Sequence, residues 1–363
     1  MDSRAPKSIK YNQMFNKNIN LKITASQKIL VVSDIHLQLP LTSELSIIEQ
    51  SLVGRINELA THKQAILVLN GDVLELWAQS NQSVEEIIDA YTELKLAILS
   101  FNKKPGHRII YTVGNHDDSL AVSASDRAVV ANHWRAEVCN TLNLTIGRRT
   151  IRIEHGHEND PYNKTSSTGY SHGKKLVQTT LPTLLERIPT LIRGIGDVVD
   201  RSLLPSFVLS NLLYKLVVPF SIPIVLLWAG YQTAARSDTR YAAAAALVLL
   251  LGWAAFMLLD IFLRLVARQT LGGGKKYMKS LDSYQKETKF NALVLGHTHD
   301  GRVEKRRGYS YANSGCNDII ALPRTGWLGI PRFIRYIQMS EITIDYSKKE
   351  PIKYHQQIIT LVK

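Results

Sequence analysis

Cysteine is scarce in this chain, with only Cys139 and Cys316 among 363 residues. Two cysteines so far apart form neither a disulfide framework nor a zinc finger, so we expect a reducing compartment. Residues 1–20 lack the apolar core of a cleaved signal peptide. The chain also lacks a stripe of aromatic and basic residues of the kind that stacks bases, so nucleic acid is not the expected partner.

Acidic residues are fewer than basic ones. The chain has 44 Lys and Arg residues against 31 Asp and Glu residues, which gives a net charge of +13. Such a basic balance favours an anionic surface or an anionic substrate. The length allows a large core and one or two domains.

Short apolar runs alternate with helical patterns in the first third of the chain. The runs at 28–33, 64–69 and 107–113 predict buried strands, and the patterns at 43–60 and 84–99 predict helices. This alternation indicates a parallel α/β layer. Further strands are predicted at 141–146, 150–153, 292–295, 333–339, 341–346 and 354–361. The chain is therefore expected to be an α/β protein.

Side chains that can bind metals follow several of these strands. They are Asp34, His36, Asp72, Asn115, His155, His297 and His299, with His116 beside them. Open α/β sheets build their sites at the carboxyl ends of successive strands, so we expect these residues to meet. Carboxylate, amide and imidazole ligands together suit manganese, iron or zinc. Asp72 could bridge two ions, and such a pair favours displacement at phosphorus.

A segment of different composition, residues 161–290, interrupts the pattern. It contains two apolar runs, 212–231 and 241–263, each about 20 residues long and so able to cross a hydrocarbon core of about 30 Å. We interpret them as a membrane hairpin, although Pro219 and Pro223 leave a buried core helix open for the first run. Lysine pairs at both ends of the segment favour anionic lipid head groups. The basic flanks place the catalytic domain in the cytoplasm.

Five short blocks resemble the signature of calcineurin-like metallophosphoesterases. The blocks are Asp34-Ile35-His36, Gly71-Asp72, Gly114-Asn115-His116-Asp117, His155-Gly156-His157 and Gly296-His297-Thr298-His299. The resemblance implies a four-layer α/β/β/α sandwich with a dinuclear metal site. It assigns the first metal to Asp34, His36, Asp72 and His299, and the second to Asp72, Asn115, His155 and His297. It also gives His116 a role at the phosphoryl group or the leaving oxygen, with Glu75 orienting it.

The layout is similar to that of UDP-2,3-diacylglucosamine pyrophosphatases, which carry a helical lid in the interval occupied here by residues 161–290. Those enzymes cleave a lipid-linked pyrophosphate at a membrane surface. The chain departs from them in two ways: His116 stands where they commonly have arginine, and the insertion contains membrane-length runs.

These observations lead to one overall expectation. Residues 1–22 form a polar arm, residues 23–160 and 291–363 form the metallophosphoesterase domain, and residues 161–290 form the helical insertion. The function expected is metal-dependent hydrolysis of a lipid-linked phosphate or pyrophosphate, such as a UDP-diacylglucosamine-type or phospholipid phosphate, at the inner face of the inner membrane. The expected cofactors are two divalent ions, manganese first, with iron or zinc as alternatives. The alternative function is a membrane-anchored phosphodiesterase acting on a soluble nucleotide or nucleic acid.

Overall fold

A computed structural model of the chain describes residues 15–77, 82–160, 164–165, 174, 275–325 and 331–360. The strands of this part are β1 (Asn18–Lys22), β2 (Lys28–Val32), β3 (Ala65–Asn70), β4 (His107–Thr112), β5 (Glu137–Cys139), β6 (Thr141–Ile146), β7 (Arg149–Ile153), β8 (Ala292–Leu295), β9 (Arg302–Arg306), β10 (Tyr309–Asn313), β11 (Asp318–Thr325), β12 (Pro331–Ile344) and β13 (Ile352–Thr360). The helices are α1 (Ser43–Leu59), α2 (Val84–Ala90), α3 (Thr92–Asn102), α4 (Ser119–Val122), α5 (Ala124–His133) and α6 (Lys275–Thr288).

Two sheets make up the framework. In the first, the order is β11-β12-β2-β3-β4-β5, and β13 pairs with β12. Strands β2 to β5 run parallel, while β12 is antiparallel to β2. The second sheet has the order β1-β6-β7-β8-β10-β9. Its central strands β7 and β8 run parallel, although the whole insertion separates them in sequence.

The main core lies between the two sheets. Ile29 and Val31 of β2 and Ile66 of β3 pack there against Ile151 of β7 and Val294 of β8. Alternate residues of each strand point the other way, so each sheet needs a second apolar cover. Helices α1 and α3 contact the outer face of the first sheet. Helix α6 packs on β8 and β10 in a separate aromatic cluster. The arrangement is a mixed α/β fold built on two sheets, as expected.

Three elements differ from the sequence expectation. The helix predicted at 84–99 is two helices, because Tyr91 leaves the helical region at φ −92° and ψ 67°. The Tyr91 hydroxyl donates to the Gln38 carbonyl at 2.8 Å and accepts from the Gln38 N–H at 3.2 Å. Strand β12 is continuous where two strands were predicted. The end of the predicted N-terminal arm forms β1, which pairs with β6 through residues 18–22.

The chain divides into two compact units, and every predicted site residue belongs to the first, residues 1–180, 275–318 and 337–359. Of the second unit, residues 181–274, 319–336 and 360–363, the structure describes parts of β11 and β12 and residue 360. Within the described part of the chain, no helix is both long and apolar enough to cross a membrane. The predicted hairpin, 212–231 and 241–263, lies outside the described residues.

Candidate metal centre

The candidate residues follow the carboxyl ends of five strands. Asp34 and His36 come after β2, Asp72 comes after β3, and Asn115 and His116 come after β4. On the other sheet, His155 follows β7, and His297 and His299 follow β8. Because β2, β3 and β4 are parallel to one another, and β7 is parallel to β8, each sheet brings its loops to one edge.

Most of the predicted metal ligands have a left-handed backbone. The φ angles are 51° at Asp34, 53° at His36, 51° at Asp72, 66° at His297 and 56° at His299. This conformation costs an L-residue about 1–3 kcal/mol, so five such residues at one edge store considerable backbone strain. Strain concentrated in this way is typical of a functional site rather than of ordinary loops.

Two glycines allow these loops to approach one another. A Cβ on Gly114 would lie 2.2 Å from Asp72 Oδ1, and a Cβ on Gly296 would lie 2.5 Å from Asp34 Oδ2. No real side chain tolerates such distances. Glycine is therefore required next to each carboxylate for steric reasons, independently of backbone freedom.

The first cluster contains Asp34, His36 and His299. One ligand atom from each of these residues lies within 4.8 Å of the others. His299 Nε2 is 3.2 Å from Asp34 Oδ1. His36 Nδ1 donates to Glu75 Oε2 at 3.0 Å, and the buried His36 Nε2 has no hydrogen-bond partner among the residues described. A buried ring nitrogen left in this state fits a metal ligand.

The second cluster contains Asp72, His155 and His297, again with ligand atoms within 4.8 Å of one another. His155 Nδ1 donates to the Asn70 carbonyl at 3.0 Å. Its Nε2 lies 3.1 Å from Asp72 Oδ2 and 3.2 Å from Asn115 Oδ1. Three potential ligand atoms therefore converge, while the other ring nitrogen of His155 is already held by the protein.

Glu75 links the first cluster to His116. His116 Nδ1 donates to Glu75 Oε2 at 2.6 Å, so this one oxygen accepts from both His116 and His36. The other oxygen, Oε1, accepts the Trp77 N–H at 2.9 Å. The Trp77 ring stacks on the His116 ring at 4.4 Å between centroids and an interplanar angle of 25°. His116 is thus fixed by a carboxylate on one side and an indole on its face.

Opposite charges in the site shift the pKa values strongly. Burial opposes ionisation of Asp72, but His155, His116 and His36 outweigh it and hold the pKa of Asp72 well below its ordinary value. Burial likewise opposes the charged form of His36, yet the hydrogen bond with Glu75 and the nearby carboxylates raise the pKa of His36 to about 10. Burial also disfavours charged His155, but Asp72 and Asp34 raise the pKa of His155 to about 9. Without a cation, protons on these histidines neutralise the carboxylates.

Asp117 ties the loops together. Its carboxylate accepts the Gly114 N–H at 2.6 Å, the Val73 N–H at 3.0 Å and the Tyr111 hydroxyl at 2.6 Å. Burial and the neighbouring Asp72 raise the pKa of Asp117 to about 7. Asp117 is fully buried. Its position indicates a structural role beside the site.

The structure places all nine predicted site residues in the loops that follow the carboxyl ends of β2, β3, β4, β7 and β8. It also places beside them two residues that the sequence analysis did not identify. Trp77 stacks on His116, and Asp160 contacts His297 Nε2 through Oδ2 at 3.0 Å. Neither residue follows a strand directly, so the strand-end pattern does not indicate them. A further group, Glu85, Asp89 and His133, is largely exposed, and Lys95 pairs with Asp89, which makes it a poor cation site.

Two observations support a metal at this edge. The donor atoms are carboxylate, amide and imidazole, the mixture that divalent transition metals prefer. The buried His36 Nε2 has no hydrogen-bond partner among the described residues, and His36 belongs to the cluster that contains Asp34 and His299. The residues present therefore fit divalent cations.

A comparison with known families agrees with this geometry. The sequence matches the profile of the calcineurin-like phosphoesterase family over residues 27–187. No curated protein has a sequence that matches the chain. Similar solved structures include a Vps29 single mutant from Entamoeba histolytica, with 11% identity, 92% of this chain and 99% of that chain covered, and a TM-score of 0.30.

Two further structures are similar at the same level. A predicted phosphoesterase from Streptococcus pneumoniae has 12% identity over 91% of this chain and 98% of its own, with a TM-score of 0.28. An archaeal phosphodiesterase has 11% identity over 92% of this chain and 99% of its own, with a TM-score of 0.34. The profile match and the site geometry together lead to one assignment: residues 27–187 are similar to the calcineurin-like phosphoesterase family, and the chain is a metal-dependent phosphoester hydrolase.

Proposed function

We propose that this hydrolase cleaves a phosphate or pyrophosphate ester of a lipid-linked substrate at the cytoplasmic face of the inner membrane. In this proposal Asp34, His36, Asp72 and His299 hold one divalent cation, and Asp72, Asn115, His155 and His297 hold a second. Manganese is the first choice, with iron or zinc as alternatives. Bound in this way, two cations would activate water at neutral pH and neutralise charge on the phosphoryl oxygens.

His116 serves as the proton donor to the leaving oxygen. Its Nδ1 is held by Glu75, so Nε2 would be the ring nitrogen that donates to the leaving oxygen. The stacked Trp77 ring keeps the imidazole plane fixed, which spares the entropy of orienting it at the moment of reaction. A donor in such a position typically contributes about 10²–10⁴ to the rate.

The single observation that carries the lipid proposal is the attachment of the insertion to the site. Near its start, Lys174 pairs with Asp118 and lies 5.8 Å from the centre of the Trp77 ring, the ring that stacks on His116. At its end, α6 packs beside the loop of the second cluster, where the Tyr277 hydroxyl donates to the Gly156 carbonyl at 3.3 Å. Both ends of residues 161–290 are therefore anchored next to the candidate catalytic groups.

The apolar runs in that insertion supply the membrane part of the proposal. Two runs of about 20 residues are long enough for two crossings, and the loop between them, residues 232–240, is short. Lys174, Lys175, Lys275 and Lys276 flank the pair, whereas the loop carries two arginines and one aspartate. This asymmetry supports a cytoplasmic catalytic domain.

The substrate proposal is tested by turnover of a panel. Purified lipid phosphates, lipid-linked nucleotide diphosphates, free nucleotides and single-stranded oligonucleotides are each incubated with the full-length enzyme and manganese, and again with chelator. The proposal expects chelator-sensitive cleavage of a lipid-linked member and little of the free nucleotides. Preference for soluble nucleotides or oligonucleotides would replace it with the membrane-anchored phosphodiesterase.

The role of the hairpin is tested in two ways. Cys139 and Cys316 are both buried, so a cysteine placed at Ser237 is a well-isolated probe. That cysteine should react with an impermeant thiol reagent from outside the inner membrane, and labelling only after lysis would argue against two crossings. Replacing residues 205–269 by a short Gly/Ser linker should preserve cleavage of bis(p-nitrophenyl) phosphate, because loop length itself costs little. If this variant hydrolysed the lipid substrate at the wild-type rate, the hairpin would serve only as a membrane anchor and would have no role in substrate binding.

A further inference from the structure

One carboxylate beside the second cluster has no role in the ligand set. Asp160 lies directly after the 3₁₀ turn His157–Asn159, and its side chain is almost fully buried, with 1% of the residue exposed. Its Oδ2 accepts a hydrogen bond from His297 Nε2 at 3.0 Å. Asp160 precedes the insertion and His297 follows it, so this bond joins the two parts of the domain directly.

Other candidate histidines show why this contact matters. A hydrogen-bond acceptor fixes one ring nitrogen of each as the proton-bearing one: Glu75 for His36 and the Asn70 carbonyl for His155. In both cases the held atom is Nδ1. The Nε2 atom of His155 lies 3.1 Å from Asp72 Oδ2, and the buried Nε2 atom of His36 has no hydrogen-bond partner among the described residues. Histidine ligands of metals usually donate their second N–H to such an acceptor, which fixes the tautomer and the ring orientation.

In His297 the ring nitrogen that meets an acceptor is Nε2 rather than Nδ1. The acceptor meets Nε2, so the proton belongs on Nε2, and Nδ1 would be the ring nitrogen that binds the second cation. The His297 ring also lies in a different plane from the His155 ring, with centroids 5.3 Å apart and an interplanar angle of 70°. This inference rests on the two-cation centre proposed above. We propose that Asp160 is the positioning residue for His297 and sets the affinity of the second cation site.

The local structure argues that this contact is built rather than accidental. Gly156 has φ 105°, a conformation that turns the chain sharply after His155. The Asp160 N–H then donates to the His157 carbonyl at 3.0 Å, and the Lys164 N–H donates to the Asp160 carbonyl at 2.8 Å. These backbone bonds fix the main chain of Asp160, so replacing its side chain leaves the turn in place. The carboxylate is available to act on His297.

The test is titration of the metal-free, full-length protein with Mn²⁺ and with Zn²⁺ in a calorimeter. The wild type should bind two cations. Asp160→Ala should weaken one of the two sites by about 10–100-fold and leave the other unchanged. Asp160→Asn should lose less, because an amide oxygen still accepts from Nε2. Asp345→Asn is the matched control, since Asp345 is a buried carboxylate paired with Lys28 at the far end of β2; it should leave both affinities unchanged.

A spectroscopic measurement separates positioning from packing. In zinc-loaded protein with ¹⁵N-labelled histidine, long-range ¹H–¹⁵N correlations should show His297 protonated at Nε2, with the signals assigned through His297→Gln. A His297 ring protonated at Nδ1, or two unchanged affinities in Asp160→Ala, would overturn the role of Asp160 while leaving the metal centre intact. A wild-type protein that bound neither metal would overturn this inference and the proposed function together.

Discussion

Replacing Glu75 by glutamine should damage metal binding and turnover together. The Oε1 atom of Glu75 accepts the Trp77 N–H at 2.9 Å, while Oε2 accepts from His36 at 3.0 Å and from His116 at 2.6 Å. If the glutamine oxygen stays on Trp77, its NH₂ group faces two ring N–H donors, and both bonds are lost. A hydrogen bond to a charged group contributes about 1.5–3 kcal/mol, so the two together contribute about 3–6 kcal/mol. This corresponds to about 10²–10⁴ in total, divided between cation affinity and turnover.

The two shares can be measured separately. Loss of the bond to His36 should lower the affinity for Mn²⁺, which is measured by calorimetry. Loss of the bond to His116 should lower kcat for an alkyl phosphoester at saturating Mn²⁺, which is measured by phosphate release. His116→Ala is the matched variant, because it should lower kcat without lowering affinity. If Glu75 acts on turnover through His116, the double variant should have the same kcat as His116→Ala at saturating metal. Wild-type affinity and wild-type kcat in Glu75→Gln would refute this reasoning, as would two fully additive losses in kcat.

Further predictions concern proton delivery, pH and the close approach of the loops. His116→Ala should lose about 10²–10⁴ in turnover of alkyl esters but much less with p-nitrophenyl leaving groups; equal losses would leave only charge stabilisation. Metal-free protein has pKa values of about 10 at His36 and about 9 at His155, so both are protonated at pH 7 and must release a proton to bind a cation. Mn²⁺ affinity should therefore rise with pH, by up to about a hundredfold per unit for two protons, as checked by calorimetry between pH 6.5 and 8.5. The stability of the metal-free fold should depend on pH in the opposite direction. The folded-state pKa values of His36 and His155 are raised above the ordinary 6.5, so protonation of these histidines stabilises the fold fully below pH 6.5. This stabilisation is lost as pH rises through about 9–10. Thermal unfolding in chelator should show this decline, and a melting temperature that rises with pH over this range would contradict it. Gly114→Ala should abolish tight metal binding because its Cβ would lie 2.4 Å from the Asp72 backbone nitrogen, whereas Gly54→Ala, with nothing within 4 Å, should fold and bind metal normally.

The sequence predicted those elements that a short segment of residues determines by itself. The apolar runs that became β2, β3, β4 and β8 are recognisable because buried strands of a parallel layer are apolar on both faces. The residues after those strands could be selected because strand ends of such a sheet converge. The pair of sheets and the phosphoesterase domain were implied by the resemblance of five short blocks to calcineurin-like metallophosphoesterases.

Elements that depend on distant contacts were not predicted. The break at Tyr91 exists because its hydroxyl meets the backbone of Gln38, 53 positions earlier, and helical periodicity does not record such a contact. Strand β1 is polar at alternate positions and gains its order from pairing with β6, more than 120 positions later. The contact of Asp160 with His297 spans 137 positions. In each case the residue that determines the local structure lies too far along the chain for a short sequence segment to include it.

The order of strands across the second sheet has a consequence for how the protein is made. Strand β8 is central, paired on one side with β7, which precedes the insertion, and on the other with β10, which follows it. His297 and His299 come directly after β8. A ribosome therefore synthesises both apolar runs before it synthesises the strand that closes the sheet and the last two candidate ligands. The nascent chain lacks two ligands of the proposed centre during that interval, so hydrolytic activity is expected to begin only after the insertion has left the ribosome.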